Sequence, residues 1–167
     1  MTTTPEPWTP TSAEPDYPSV SLTLGSDRPA LLPEKSALPR GLAVSRRTRF
    51  TVPADGAAAL QARTVVRPAL RLLLGSDDDA ERLRRRIETC LAEMAAVAYA
   101  CTTDEHLLCS VWLDPDHVFV SVEHDLALPA VPDDSTVGLS LVKSIADEYG
   151  THVEQGTHQT WAAVRRL

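Results

Sequence analysis

The chain has 167 residues, 43% of them hydrophobic, which suits one domain of ordinary size with a real core. Its formal net charge of -7 argues against a nucleic-acid surface, which needs Lys and Arg clustered on one face. Cys90, Cys101 and Cys109 are odd in number and lack C-x-x-C spacing, so they suggest neither a disulfide framework nor a zinc knuckle and fit a reducing cytoplasm.

Residues 1–40 hold eight of the thirteen prolines among Thr, Ser and Glu, with a short strand-like alternation at Val20, Leu22 and Leu24. Such a segment buries too little surface to offset the entropy of ordering it. We therefore expect a disordered arm over 1–45, acting as a tether or as a partner-binding segment that folds on contact. The first thirty residues have neither the basic start nor the apolar stretch of a signal peptide, and no run is long and apolar enough to cross a bilayer.

A folded domain is expected over 46–167. Arg47 to Val52 alternates in a strand-like way, and Pro53, Asp55 and Gly56 form a break. Ala57 to Leu74 has helical spacing at Ala58, Ala62, Val65, Val66, Ala69 and Leu73, with Pro68 as a kink or break and Gly75 as its end. Ser76 to Asp79 offers a cap and acidic first turn to a second helix through Tyr99. The basic run Arg82 to Arg86 lies inside it, read as a solvated face or a docking patch for an acidic partner.

His106 to Leu113 and His117 to Glu123 predict an antiparallel hairpin through Asp114, Pro115 and Asp116. A loop follows over Asp125 to Ser135, then a third helix over Gly138 to Tyr149 ended by Gly150. His152 to Glu154 and Gln159 to Val164 make a closing hairpin around Gln155 and Gly156, anchored by Trp161. This order gives an α+β two-layer sandwich: a mixed, mostly antiparallel sheet with three helices on one face.

The stretch Gly138-Leu139-Ser140-Leu141-Val142-Lys143-Ser144-Ile145-Ala146-Asp147-Glu148-Tyr149-Gly150, followed by Gln159-Thr160-Trp161, carries a family resemblance. Together with the element order it resembles the GHKL ATPase superfamily, specifically small actinobacterial relatives of anti-sigma-factor serine kinases. In that group a glycine-led helix of the form G-L-x-L-V-x-x-(I/L)-A-(D/E)-x-(W/Y)-G follows the lid loop, and a hairpin with a Thr-x-Trp-like triplet follows the helix. The match covers roughly residues 46–167.

The resemblance implies a nucleotide site whose parts can be named. Asp125, after a strand, would accept the adenine amino group, since a carboxylate only accepts. Gly138 would offer backbone N–H to phosphate at a helix N-terminus. Thr136 and Val137 stand where relatives have a further glycine and a small or polar residue, and Leu126, Ala127 and Leu128 include no hinge glycine. Relatives carry Glu-x-x-x-Asn on the second helix, the Glu as catalytic base and the Asn as magnesium ligand, one turn apart on one face. Here those positions are Glu93 and Val97, and the chain contains no asparagine. An isopropyl group offers magnesium no oxygen, so neutralising ATP and transferring its phosphoryl group lose their main electrostatic aid. The five histidines show no H-x-x-x-H or H-E-x-x-H spacing, and no other metal site is expected.

Three readings follow. One is a pseudo-kinase regulator that binds a sigma factor or its antagonist through its helical face, with weak or lost ATP binding. Another is an active ATP-dependent protein serine kinase using Glu93 as base with Asp125 and Gly138 on the nucleotide. The last is an unrelated α+β interaction domain, which a different strand order would reveal. The resemblance also implies a homodimer, through a sheet edge or the first strand, as one state.

Overall fold

A computed structural model of the chain describes residues 22–23, 46–129, 131 and 133–166. Apart from Leu22 and Thr23, the expected arm over 1–45 lies outside the described residues. In chain order the elements are β1 (Leu22–Thr23), β2 (Arg46–Pro53), α1 (Ala58–Leu74), α2 (Asp78–Ala100), β3 (His106–Leu113) and β4 (His117–His124). A single 3-10 turn (Asp134–Thr136), α3 (Gly138–Ile145), β5 (Glu148–Glu154) and β6 (Thr157–Arg165) complete them.

The strands form one sheet in the order β1-β2-β3-β4-β6-β5. β2 to β6 pair antiparallel throughout, and the two residues of β1 run parallel to the start of β2. The α+β two-layer sandwich is therefore as the sequence predicts. Strand alternation sorts the side chains: Val52, Cys109, Val111, Val118, Val120, Val122, Ala162 and Val164 turn to the helices and meet Ala62, Val66, Leu70, Ile87, Leu91 and Met94. Trp161 is fully buried, as its anchor role requires, but on the opposite face with Trp112, Phe119 and Ala163.

Pro68 neither ends nor splits α1, which runs unbroken over seventeen residues with Pro68 exposed. α2 starts as expected: Asp77 caps it by accepting from the Ala80 amide at 2.7 Å, and Asp78, Asp79 and Glu81 follow at its positive end. The basic run divides between exposed and buried guanidinium groups. Arg82 pairs with Asp79 and Arg85 with Glu81 along the helix, while Arg84 is buried and donates to Glu81 and to the Gly75 carbonyl. The expected solvated face thus holds one guanidinium that closes the α1–α2 turn.

The third helix is shorter than its periodicity suggests. α3 ends at Ile145, Ala146 is extended (φ -76°, ψ 147°), and the Asp147 amide donates to the Ala163 carbonyl at 2.9 Å. Gly150 is no helix terminator; it sits in β5 opposite Trp161. Tyr149 fits both readings, because in β5 it turns to the same core that a longer helix would have faced.

Candidate functional site

Glu93 lies in the C-terminal half of α2 and Gly138 is the first residue of α3. The fold brings the two together: a methyl group at Gly138 would collide with Glu93 Oε2 and would lie 3.2 Å from its Cβ and 3.4 Å from its Cδ. The carboxyl group therefore rests on the first turn of α3, where unpaired amides and the helix dipole favour negative charge.

Seven residues earlier on α2, Arg86 donates from Nη2 to the Ile145 carbonyl at 2.7 Å, at the other end of α3. It also lies 3.5 Å from Asp147. Glu93 and Arg86 are two helical turns apart on α2, about 10.5 Å, and Gly138 and Ile145 are the same distance apart on α3. The helices therefore run antiparallel, an acid on the positive end of α3 and a base on its negative end. Arg86 was not among the expected site residues; its i, i+7 spacing from Glu93 is the signal that could have found it.

Val97, at the position of the magnesium-binding asparagine in the relatives, is 1% exposed. It is a core side chain with no oxygen to offer, so it does not fit a metal ligand. Among the described residues no group of three or more His, Cys, Asp or Glu side chains is placed to hold a metal ion.

Asp125 follows β4 and is half-buried. Its Oδ1 accepts from the Thr103 amide at 2.8 Å and its Oδ2 from the Thr103 hydroxyl, tying the loop after β4 to the loop after α2. Those hydrogen bonds, the hydroxyl first, favour the charged form and hold the carboxyl down at about 2. The Thr102 hydroxyl adds a smaller contribution in the same direction. Beside it the Leu126 amide donates to the Cys101 carbonyl at 3.0 Å.

The same loop is pinned by His124, which sequence reasoning passed over. Its Nδ1 lies 2.7 Å from the Leu126 carbonyl and its Nε2 2.8 Å from the Thr160 hydroxyl. A carbonyl only accepts, so Nδ1 carries the proton and Thr160 donates to Nε2. Burial pushes the imidazole below its usual value, against a raising effect from the Leu126 carbonyl, with nearby His158 lowering it further. Toward α3, Asp133 and Thr136 form a reciprocal capping box; Thr136 is buried and Val137 exposed. The places expected to be a glycine-rich phosphate cradle thus hold a packed threonine and an exposed valine.

No family model matches the sequence, and no curated protein does. Among solved structures, the chain is similar to the RsbU and RsbW domains of Rv1364c from Mycobacterium tuberculosis, with a TM-score of 0.55 and 18% identity. The match covers 72% of this chain and 32% of that one, so this chain spans about a third of the structure it resembles. At that identity the likeness speaks for the fold alone, an α+β sandwich.

Proposed function

We propose that this chain is a regulatory protein of the anti-sigma-factor serine-kinase type, working mainly by binding a protein partner, with ATP binding weak or lost. One observation carries the reading: the Glu93 carboxylate rests on the first turn of α3. An acid already stands against the first residue of α3, where a phosphate would approach the helix, and the position that would ligate a compensating magnesium holds the buried Val97. Bringing a triphosphate there would set like charges together without a metal between them. Glu93 acts in this reading as a helix-end partner, and Asp125 as a loop tie.

The partner is a sigma factor or its antagonist, met in the cytoplasm; the resemblance supports this, and no helix among the described residues is long and apolar enough to cross a membrane. A ligand that binds only the folded state raises the melting temperature by mass action. Millimolar ATP or ADP with magnesium should leave the melting temperature unchanged. A clear magnesium-dependent rise would overturn the reading in favour of a kinase using Glu93, Asp125 and Gly138.

A further inference from the structure

The seventeen residues of α1 include three arginines and no acid, in a chain whose 23 Asp and Glu outnumber its 16 Lys and Arg. Its inner face belongs to the core: Ala58, Ala62, Val66 and Leu70 recur every fourth residue and are buried. Residues four apart form ridges on a helix, and two further ridges make the outer face. Arg63, Arg67 and Arg71 form one, bordering the core ridge. Leu60, Thr64, Pro68 and Leu72 form the next. Leu60 is 68% and Leu72 86% exposed, with Thr64 and Pro68 exposed between them.

The acids nearest the basic ridge are already engaged. Glu88 of α2 is buried and holds Arg67 at 3.0 Å, while Glu81 pairs with Arg84 and Arg85. In the α1–α2 turn, Asp77 caps α2 and Asp79 pairs with Arg82. Arg63 and Arg71 are left with no carboxylate partner among the described residues, and the Arg63 Nε is enclosed without a hydrogen-bond acceptor. Arginines one helical turn apart repel each other, and an enclosed donor without an acceptor is costly. A carboxylate brought by a partner relieves both.

We propose that the outer face of α1 docks a helix of a partner protein, one that carries Asp or Glu at four-residue spacing beside an apolar ridge. Its acids meet Arg63 and Arg71, and its apolar side chains cover Leu60 and Leu72, the two sets of ridges interlocking at a crossing of about 50°. The α1 helix of a second copy does not fit, because it would set arginine against arginine. An anionic bilayer fits less well than a protein helix. The net charge of -7 sets the rest of the chain against it, and Leu60 and Leu72 stand about 18 Å apart, too far to make one inserted patch. The inference rests on the protein-binding role proposed above and gives that role its contact surface.

The probe is a fluorescein-labelled synthetic helix with Glu at successive four-residue positions and Leu on the adjoining ridge, read by anisotropy against the full-length chain without nucleotide. It should bind saturably, and more weakly as salt rises. Arg63→Glu together with Arg71→Glu should weaken binding roughly tenfold, and Leu60→Ser together with Leu72→Ser should weaken it several-fold. A probe with Lys in place of each Glu should fail on the parent chain and bind the doubly charge-reversed one. Should that chain fail to fold, the exposed Arg71→Glu alone should shift preference between the two probes in the same direction. No saturable binding by the parent chain, or equal binding by parent and variants, overturns the proposal. Binding to phosphatidylglycerol vesicles that the Glu probe does not displace and that Arg71→Glu abolishes would also overturn it, in favour of a membrane. Because the assay holds no nucleotide, a magnesium-dependent rise in melting temperature beside intact probe binding would remove the pseudo-kinase reading and leave this surface standing.

Discussion

At the scale of single residues, buried polar groups decide how this protein responds to pH. His124 is 3% exposed and its imidazole is held below its usual value, chiefly by burial. The folded state keeps the ring neutral while the unfolded chain still binds a proton, so stability rises with pH through that interval. It is fully present above about 6.5, the ordinary histidine value, and falls as pH drops from there toward the lowered folded value. The melting temperature should therefore decline between pH 7 and pH 5, and His124→Gln should flatten that slope. An equally steep decline in the variant would place the dependence elsewhere. Nothing in the sequence marks His124, because its partners Leu126 and Thr160 come from a loop and from a strand 36 residues away.

At the scale of elements, the docking of α3 on α2 predicts that the cost of one substitution depends on another. Alanine favours a helix over glycine by about 1 kcal/mol in the interior and less at the first turn, while overpacking costs about 1–3 kcal/mol. Gly138→Ala should destabilise the protein by about 1 kcal/mol in urea unfolding, since the methyl displaces the Glu93 head. In a Glu93→Ala background the Oε2 collision is gone and only the 3.2 Å approach to the Cβ remains, so the same change should cost less than in the parent chain. Additive effects would mean that the two side chains do not meet. The elements themselves were largely legible: the caps and apolar stripes of α1 and α2 and the β3–β4 hairpin stand where the spacing predicts. What misled was α3, whose stripe continues through Ala146 and Tyr149 because the core lies on the same side for helix and strand. The Asp147 amide, captured by Ala163 of β6, ends the helix, and that is a tertiary contact no local pattern announces. Glu93 and Gly138 were each legible as candidates, but their contact was not, for they stand 45 residues apart in the chain, as Arg86 and Ile145 stand 59 apart.

At the scale of the whole molecule, the two layers differ in how they are closed. One face of the sheet is sealed by helices whose periodicity the sequence declares, and Trp161 closes the other from the strand side. The closing hairpin was foreseen with Trp161 as anchor, but which face it anchors follows only from its register against Ser121 and Gly150. The expected arm contributes β1 to the sheet edge, where Leu22 pairs with Arg46.

The strand order has a consequence in time as well as in space. β3–β4 and β5–β6 are hairpins that close over a few residues, whereas β4 meets β6 only after the chain has crossed the loop, α3 and β5, so that Ser121 finds Gln159 at a separation of 38 residues. Closing a long loop costs entropy before its contacts repay it, so local pairings come first. In pulse-labelling hydrogen exchange during refolding, amides of the two hairpins should become protected before those of the β4–β6 ladder. Simultaneous protection of all three would mean a single concerted step. The seam between β4 and β6 thus closes after both hairpins, and the bond from His124 to Thr160 forms only when it is drawn tight.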